Sequence, residues 1–120
     1  MIDKNLKTLI KLPYNSTVVL VRKFEILYAN TKKHGSEVAT FDIKTGITRK
    51  IKTRKNLITL KTELGTELFV HLHKSFLVNL MYVKKYNCQE VVLINNEIIS
   101  ISRSKLSTFK NAIDNFIEHI

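Results

Sequence analysis

Turn-forming residues interrupt this chain so often that no apolar run outlasts a few residues, which restricts it to short strands folded back on one another. LKTLIKL (6–12) and TVVLVR (17–22) flank Pro13-Tyr14-Asn15-Ser16, a turn signal, and predict an opening hairpin. ILYAN, EVATFDI and ITRKIKT follow as strands, the last two divided by the Lys44-Thr45-Gly46 turn. LFVHLH, YVKKY, QEVVLI and EIISIS bring the tally to about nine, and Asn95-Asn96 suits a tight hairpin because asparagine tolerates positive φ.

Two segments change period. Leu57, Leu60 and Leu64 fall at i, i+3 and i+7, predicting a helix of about three turns that Asn56 caps and Gly65 ends. From Ser104 onward Leu106, Phe109, Ile113, Phe116 and Ile120 share one side, with Asp114 and Glu118 elsewhere, predicting a closing helix. Just before it, Ile99 and Ile101 lie on the strand face that also carries Arg103, so two apolar anchors aim that guanidinium past the edge of the core. Frequent turns imply antiparallel pairing, and the fold class that follows is mainly β, in packed sheets with one short mid-chain helix and a C-terminal helix.

A chain of 120 residues, 44% hydrophobic, with three glycines and one proline, is expected to form one folded domain over 1–120. Its formal charge of +10 and pI near 9.8 speak to partners: nucleic acid first, with an acidic protein or an anionic membrane surface as the alternative. No long basic helix of the kind that fills a major groove is present, so strands or loops must meet any DNA. Cys88 stands alone, which rules out an intramolecular disulfide, and the Met1 start lacks a signal-peptide pattern; a cytoplasmic protein is expected. No run approaches the roughly 18 apolar residues that span a bilayer.

Catalytic signals are missing. Ser75 has no G-x-S-x-G elbow, Gly35, Gly46 and Gly65 are isolated, and no carboxylate pair sits in an apolar context, so neither an enzyme nor a small-molecule substrate is expected. His71 and His73, two apart on a strand, could share a metal. A zinc site needs three or four ligands, however, and only Cys88, His34, His119 and scattered carboxylates remain, none at recognisable spacing, so neither metal nor cofactor is expected. Basic residues concentrate instead at Lys32-Lys33-His34, around the strand carrying Arg49, Lys50, Lys52, Arg54 and Lys55, at Lys74, and at Arg103 with Lys105. For the lysines of that strand, protection of a sheet edge against aggregation is an equal reading.

FVHLHKSFLVNLMYVKKY (69–86) resembles the central signature of the LytTR family of bacterial DNA-binding domains, where an aromatic-rich strand leads into a His-Arg-Ser-like triplet, an apolar pair and Val-Asn. FEILYANTKKH (24–34), NLITLKTELG (56–65) and IISISRSKLSTFKNAI (98–113) are similar to other blocks of that family, in its order, so the resemblance covers about residues 7–117. It implies an elongated antiparallel β-sheet sandwich that places loops, rather than a recognition helix, in successive major grooves of double-stranded promoter DNA.

Carried over residue by residue, the resemblance implies base contacts from His34, Asn79 and Arg103. Arginine forks onto guanine and asparagine bonds adenine bidentately, whereas the bland readings are a solvated His34, an Asn79 bonding its own backbone and an Arg103 paired locally. Lys32, Lys33, Lys74, Ser75 and Lys105 are then expected at phosphates, which position without reading sequence. Lys74 stands where arginine is commoner, exchanging a bidentate fork for a point charge. His73 is expected to order the loop that follows it, and His71 has no assigned chemistry. The chain leaves no room for the receiver domain of many relatives, implying a stand-alone regulator or a fragment of a longer one. Implied partners are double-stranded DNA, a second copy on paired short repeats, and an inhibitory membrane protein.

Overall fold

The central strands ILYA and FLVN are apolar at nearly every position because they are buried on both faces, and the architecture is built outward from them. The computed structural model describes residues 8–120; the start of the predicted 6–12 strand lies outside these. β1 (Leu9–Tyr14) and β2 (Thr17–Arg22) form the opening hairpin, closed by Asn15-Ser16 with Asn15 at φ 55°. β3 (Ile26–Lys32), β4 (Gly35–Phe41), β5 (Thr48–Thr53), β6 (Phe69–His73) and β7 (Phe76–Asn79) make a five-stranded sheet in the order β5-β4-β3-β7-β6. β8 (Val83–Tyr86), β9 (Glu90–Leu93) and β10 (Ile98–Ser100) make a third sheet, and every pairing is antiparallel.

Each face of the five-stranded sheet carries its own core. On one, Ile26, Ala29, Val38 and Leu77 meet Ile10, Leu12 and Val21 of the hairpin and Leu57, Leu60 and Leu64 of α1 (Leu57–Leu64). On the other, Tyr28, Leu72, Phe76 and Val78 meet Val91 and Leu93 of the three-stranded sheet and Phe109 and Ile113 of α2 (Arg103–Glu118). A polar chain links those layers: Tyr28 donates to the Glu97 carboxylate at 3.0 Å, and Asn95 Nδ2 donates to Glu97 Oε1 at 2.6 Å and to Thr48 Oγ1 at 3.0 Å.

α1 begins as predicted, with Asn56 Oδ1 accepting from Thr59 N at 2.8 Å and Gly65 ending it at φ 78°, but its eight residues make about two turns rather than three. Ile120 is 83% exposed, so the apolar stripe of α2 ends at Phe116. β7 is the element the sequence pattern hides: Phe76–Asn79 is a strand between β3 and β6, not a loop. No helix among the described residues is long and apolar enough to cross a membrane.

Candidate nucleic-acid interface

Antiparallel register alone brings the basic turns to one end of the central sheet. β3 and β4 are joined by Lys33-His34, with Lys32 opposite Gly35; β6 and β7 are joined by Lys74-Ser75, with His73 opposite Phe76. Because Asn30 pairs with Phe76, both turns leave the sheet on the same side, and Thr31 N donates to Ser75 O at 2.9 Å to lock them together. The N-terminus of α2 joins the row through Ser102 N, which donates to Leu72 O at 2.8 Å.

At the opposite limit of the row stands Arg54, just beyond β5, whose Thr53 pairs with Ser36. Five strands at about 4.8 Å spacing spread the row over about 19 Å, with α2 beyond it. Lys32, Lys33, His34, Lys74 and Arg103 are all exposed, and among the described residues Lys33, His34, Lys74 and Arg103 form no hydrogen bond or ion pair through their side chains. Lys32 approaches Glu37 only at 4.0 Å, so a phosphate can compete for it. Arg103 opens α2, where unpaired N–H groups and the helix dipole add to its charge, and no acidic residue offsets them in the first turn. Lys105, two residues in, is half-buried beside His71.

Asn79 does not belong to this surface. It ends β7 with no exposed area, its Nδ2 donates to Ile26 O at 2.8 Å and its Oδ1 accepts from Met81 N at 2.9 Å. Every strong bond the carboxamide can offer a base edge is directed into the protein, which corrects the expectation of a base contact to a structural one.

The histidines of the central signature act on the protein's own backbone. His73 Nδ1 accepts from Ser75 N at 3.3 Å, holding the turn that presents Lys74, and His71 Nδ1 lies 3.1 Å from His73 O. No cluster of three or more His, Cys, Asp or Glu side chains converges among the described residues. Burial holds the His71 imidazole below the usual histidine range, and Lys61 and Lys105 push the same way. The unfolded chain therefore binds a proton that the folded one resists, so stability is expected to fall as pH drops through the ordinary histidine pKa of about 6.5. Urea midpoints at pH 7.5 and 5.5 measure this, and His71→Gln should shrink the difference; an unchanged difference would remove His71 as its source.

The basic residues around β5 divide between roles. Lys55 is committed to Glu63 at 2.8 Å, and Lys50 and Lys52 lie on the sheet edge that β5 forms, as the anti-aggregation reading requires. Arg54, by contrast, is at the end of the basic row, over the Tyr14 ring at 5.1 Å. Only the fold brings residue 14 beside residue 54.

Comparison with known proteins bears on the family and the fold. The family described as LytTr DNA-binding domain matches residues 16–114. Among solved structures, the LytTr DNA-binding domain of a Bacillus cereus protein described as a methyl-accepting/DNA response regulator superposes with a TM-score of 0.69 at 20% identity, covering 89% of this chain and 97% of that one. No curated protein matches the chain.

Proposed function

The chain belongs to the LytTR family of DNA-binding domains, and from that premise we propose that it is a bacterial transcription regulator that binds double-stranded promoter DNA in the cytoplasm through the basic end of its central sheet. LytTR domains are the DNA-binding domains of transcription regulators and not enzymes. The observation that carries the reading is the locking of two basic turns and the α2 N-terminus into one row by the Thr31–Ser75 and Ser102–Leu72 backbone bonds. A generic surface charge would need no such rigid alignment.

Within the row, His34 and Arg103 are the side chains assigned to base edges, entering successive major grooves, while Lys32, Lys33, Lys74, Ser75 and Lys105 hold phosphates. Binding as two copies on paired short repeats, and restraint by an inhibitory membrane protein, complete the proposal. If about four to six phosphates are neutralised, log K should fall against log salt with a slope of about −4 to −5.

The test begins with a duplex selected by the chain from a random library. By fluorescence anisotropy, Arg103→Ala is expected to weaken the selected duplex about 5- to 150-fold, the equivalent of about 1–3 kcal/mol, with a much smaller loss on random DNA. Lys74→Ala should weaken both alike and flatten the salt slope by about 1. Equal losses from the two substitutions on both duplexes would reject the division of roles. Failure to enrich any duplex would favour an acidic protein or anionic membrane as the partner.

A further inference from the structure

Where the hairpin tip meets the sheet, a cleft of about 380 Å³ opens between Tyr14 and the β3–β4 turn, with His34 of that turn on its wall and Lys52 and Thr53 of β5 beyond it. Its formation is dictated by the backbone. Pro13 O accepts from Arg54 N at 2.8 Å and from Thr53 Oγ1 at 3.0 Å, seating the tip against the end of β5. Gly35, at φ +139°, carries no Cβ because one would run into the Thr53 carbonyl oxygen, so the turn and β5 close to backbone contact.

The lining suits an oxyanion. Lys32, Lys33 and Lys52 face a single carboxylate, Glu37, whose 4.0 Å contact with Lys32 is long for an ion pair. Ser36, 2% exposed, pairs with Thr53 and so turns its side chain to the hairpin side of the sheet, while the next pair, Glu37 and Lys52, faces the other side. Arg54 stands beside the cleft, its guanidinium 5.1 Å from the Tyr14 ring centroid and Nη2 donating to Asn15 Oδ1 at 3.3 Å, so its charge is held in place rather than free to wander.

We propose that this cleft is a phosphate-binding site that grips the DNA backbone on the β5 side of the β3–β4 turn, with Lys52 and Arg54 supplying charge. The proposal rests on the DNA-binding reading above and lengthens its footprint toward β5. The cleft and Arg103 lie at opposite limits of the row, so the two ends clamp one duplex, and sequence reading by Arg103 gains a fixed register from the far contact.

The experiment replaces each phosphate of the selected duplex in turn by an uncharged methylphosphonate and compares the wild-type chain with Lys52→Ala and Arg103→Ala. One or two flanking positions are expected to weaken wild-type binding by about 3- to 10-fold, and Lys52→Ala, with an unchanged unfolding midpoint, should lose a similar factor, flatten the salt slope by about 1 and become insensitive at those positions. Arg103→Ala should keep its flanking sensitivity. A Lys52→Ala variant that binds like wild type, or that stays fully sensitive at every flanking phosphate, overturns the cleft assignment while leaving the base-reading row intact. If the wild-type chain selects no duplex, the DNA reading itself falls and takes the cleft with it.

Discussion

An Asn79→Leu variant is expected to lose about 3 kcal/mol or more of stability, seen as a drop of roughly 10–15 °C in the unfolding midpoint. The side chain has no exposed area, and leucine, though near in volume, would leave Met81 N without its 2.9 Å acceptor and Ile26 O without its 2.8 Å donor. Each stranded group costs about 1–3 kcal/mol, offset in part by the extra apolar burial. Set against the few kcal/mol that hold a small domain together, the loss is large. DNA binding should fall only in step with the folded fraction: at temperatures where the variant remains folded, its preference for the selected duplex over random DNA should be that of the wild type. A variant that melts normally yet cannot discriminate would return Asn79 to the base edge.

That contrast explains what the sequence pattern could and could not carry. FLVN after HLHKS reads as a loop if Lys74 to Asn79 is taken as one polar-apolar stretch, because a two-residue turn leaves almost no local signature and β7 has only four residues. Its four buried positions are intelligible only once β3 and β6 are seen on either side, a fact of long-range pairing. The base contact at Asn79 is likewise an implication of the family resemblance, and burial decides instead that its amide faces the protein. The hairpins, the Asn56 cap and the Gly65 stop were legible because each rests on local chemistry. His34 and Arg103 were legible as exposed basic-end residues because the turns carrying them are short and polar. Arg54 and Tyr14, forty residues apart, carry no mutual signal, and it took the seating of one hairpin on the edge of another sheet to make them neighbours.

Substitution of Phe109 by alanine is expected to be at least as damaging, costing about 3–5 kcal/mol by removing a large ring from the second core. Phe109 has no exposed area, meets Tyr86 edge-on at 5.1 Å between centroids, and with Ile113 supplies the buried anchors of α2. Arg103 rides on the same helix, six residues earlier and so about 9 Å along its axis. Its position is therefore set from two directions, by the Ser102–Leu72 backbone bond at the helix start and by the Phe109 ring further in. Loosening the ring should let α2 rock about its first turn and spread the guanidinium over several orientations, so discrimination should decline before the sheet itself unfolds. Phe109→Leu keeps most of the volume and should cost about 1–1.5 kcal/mol with discrimination largely retained. Urea denaturation, paired with anisotropy on selected and random duplexes below the transition, checks both variants. A loss under about 1 kcal/mol for Phe109→Ala would mean that α2 is held by contacts other than this ring, and that the aim of Arg103 is set at Ser102 alone.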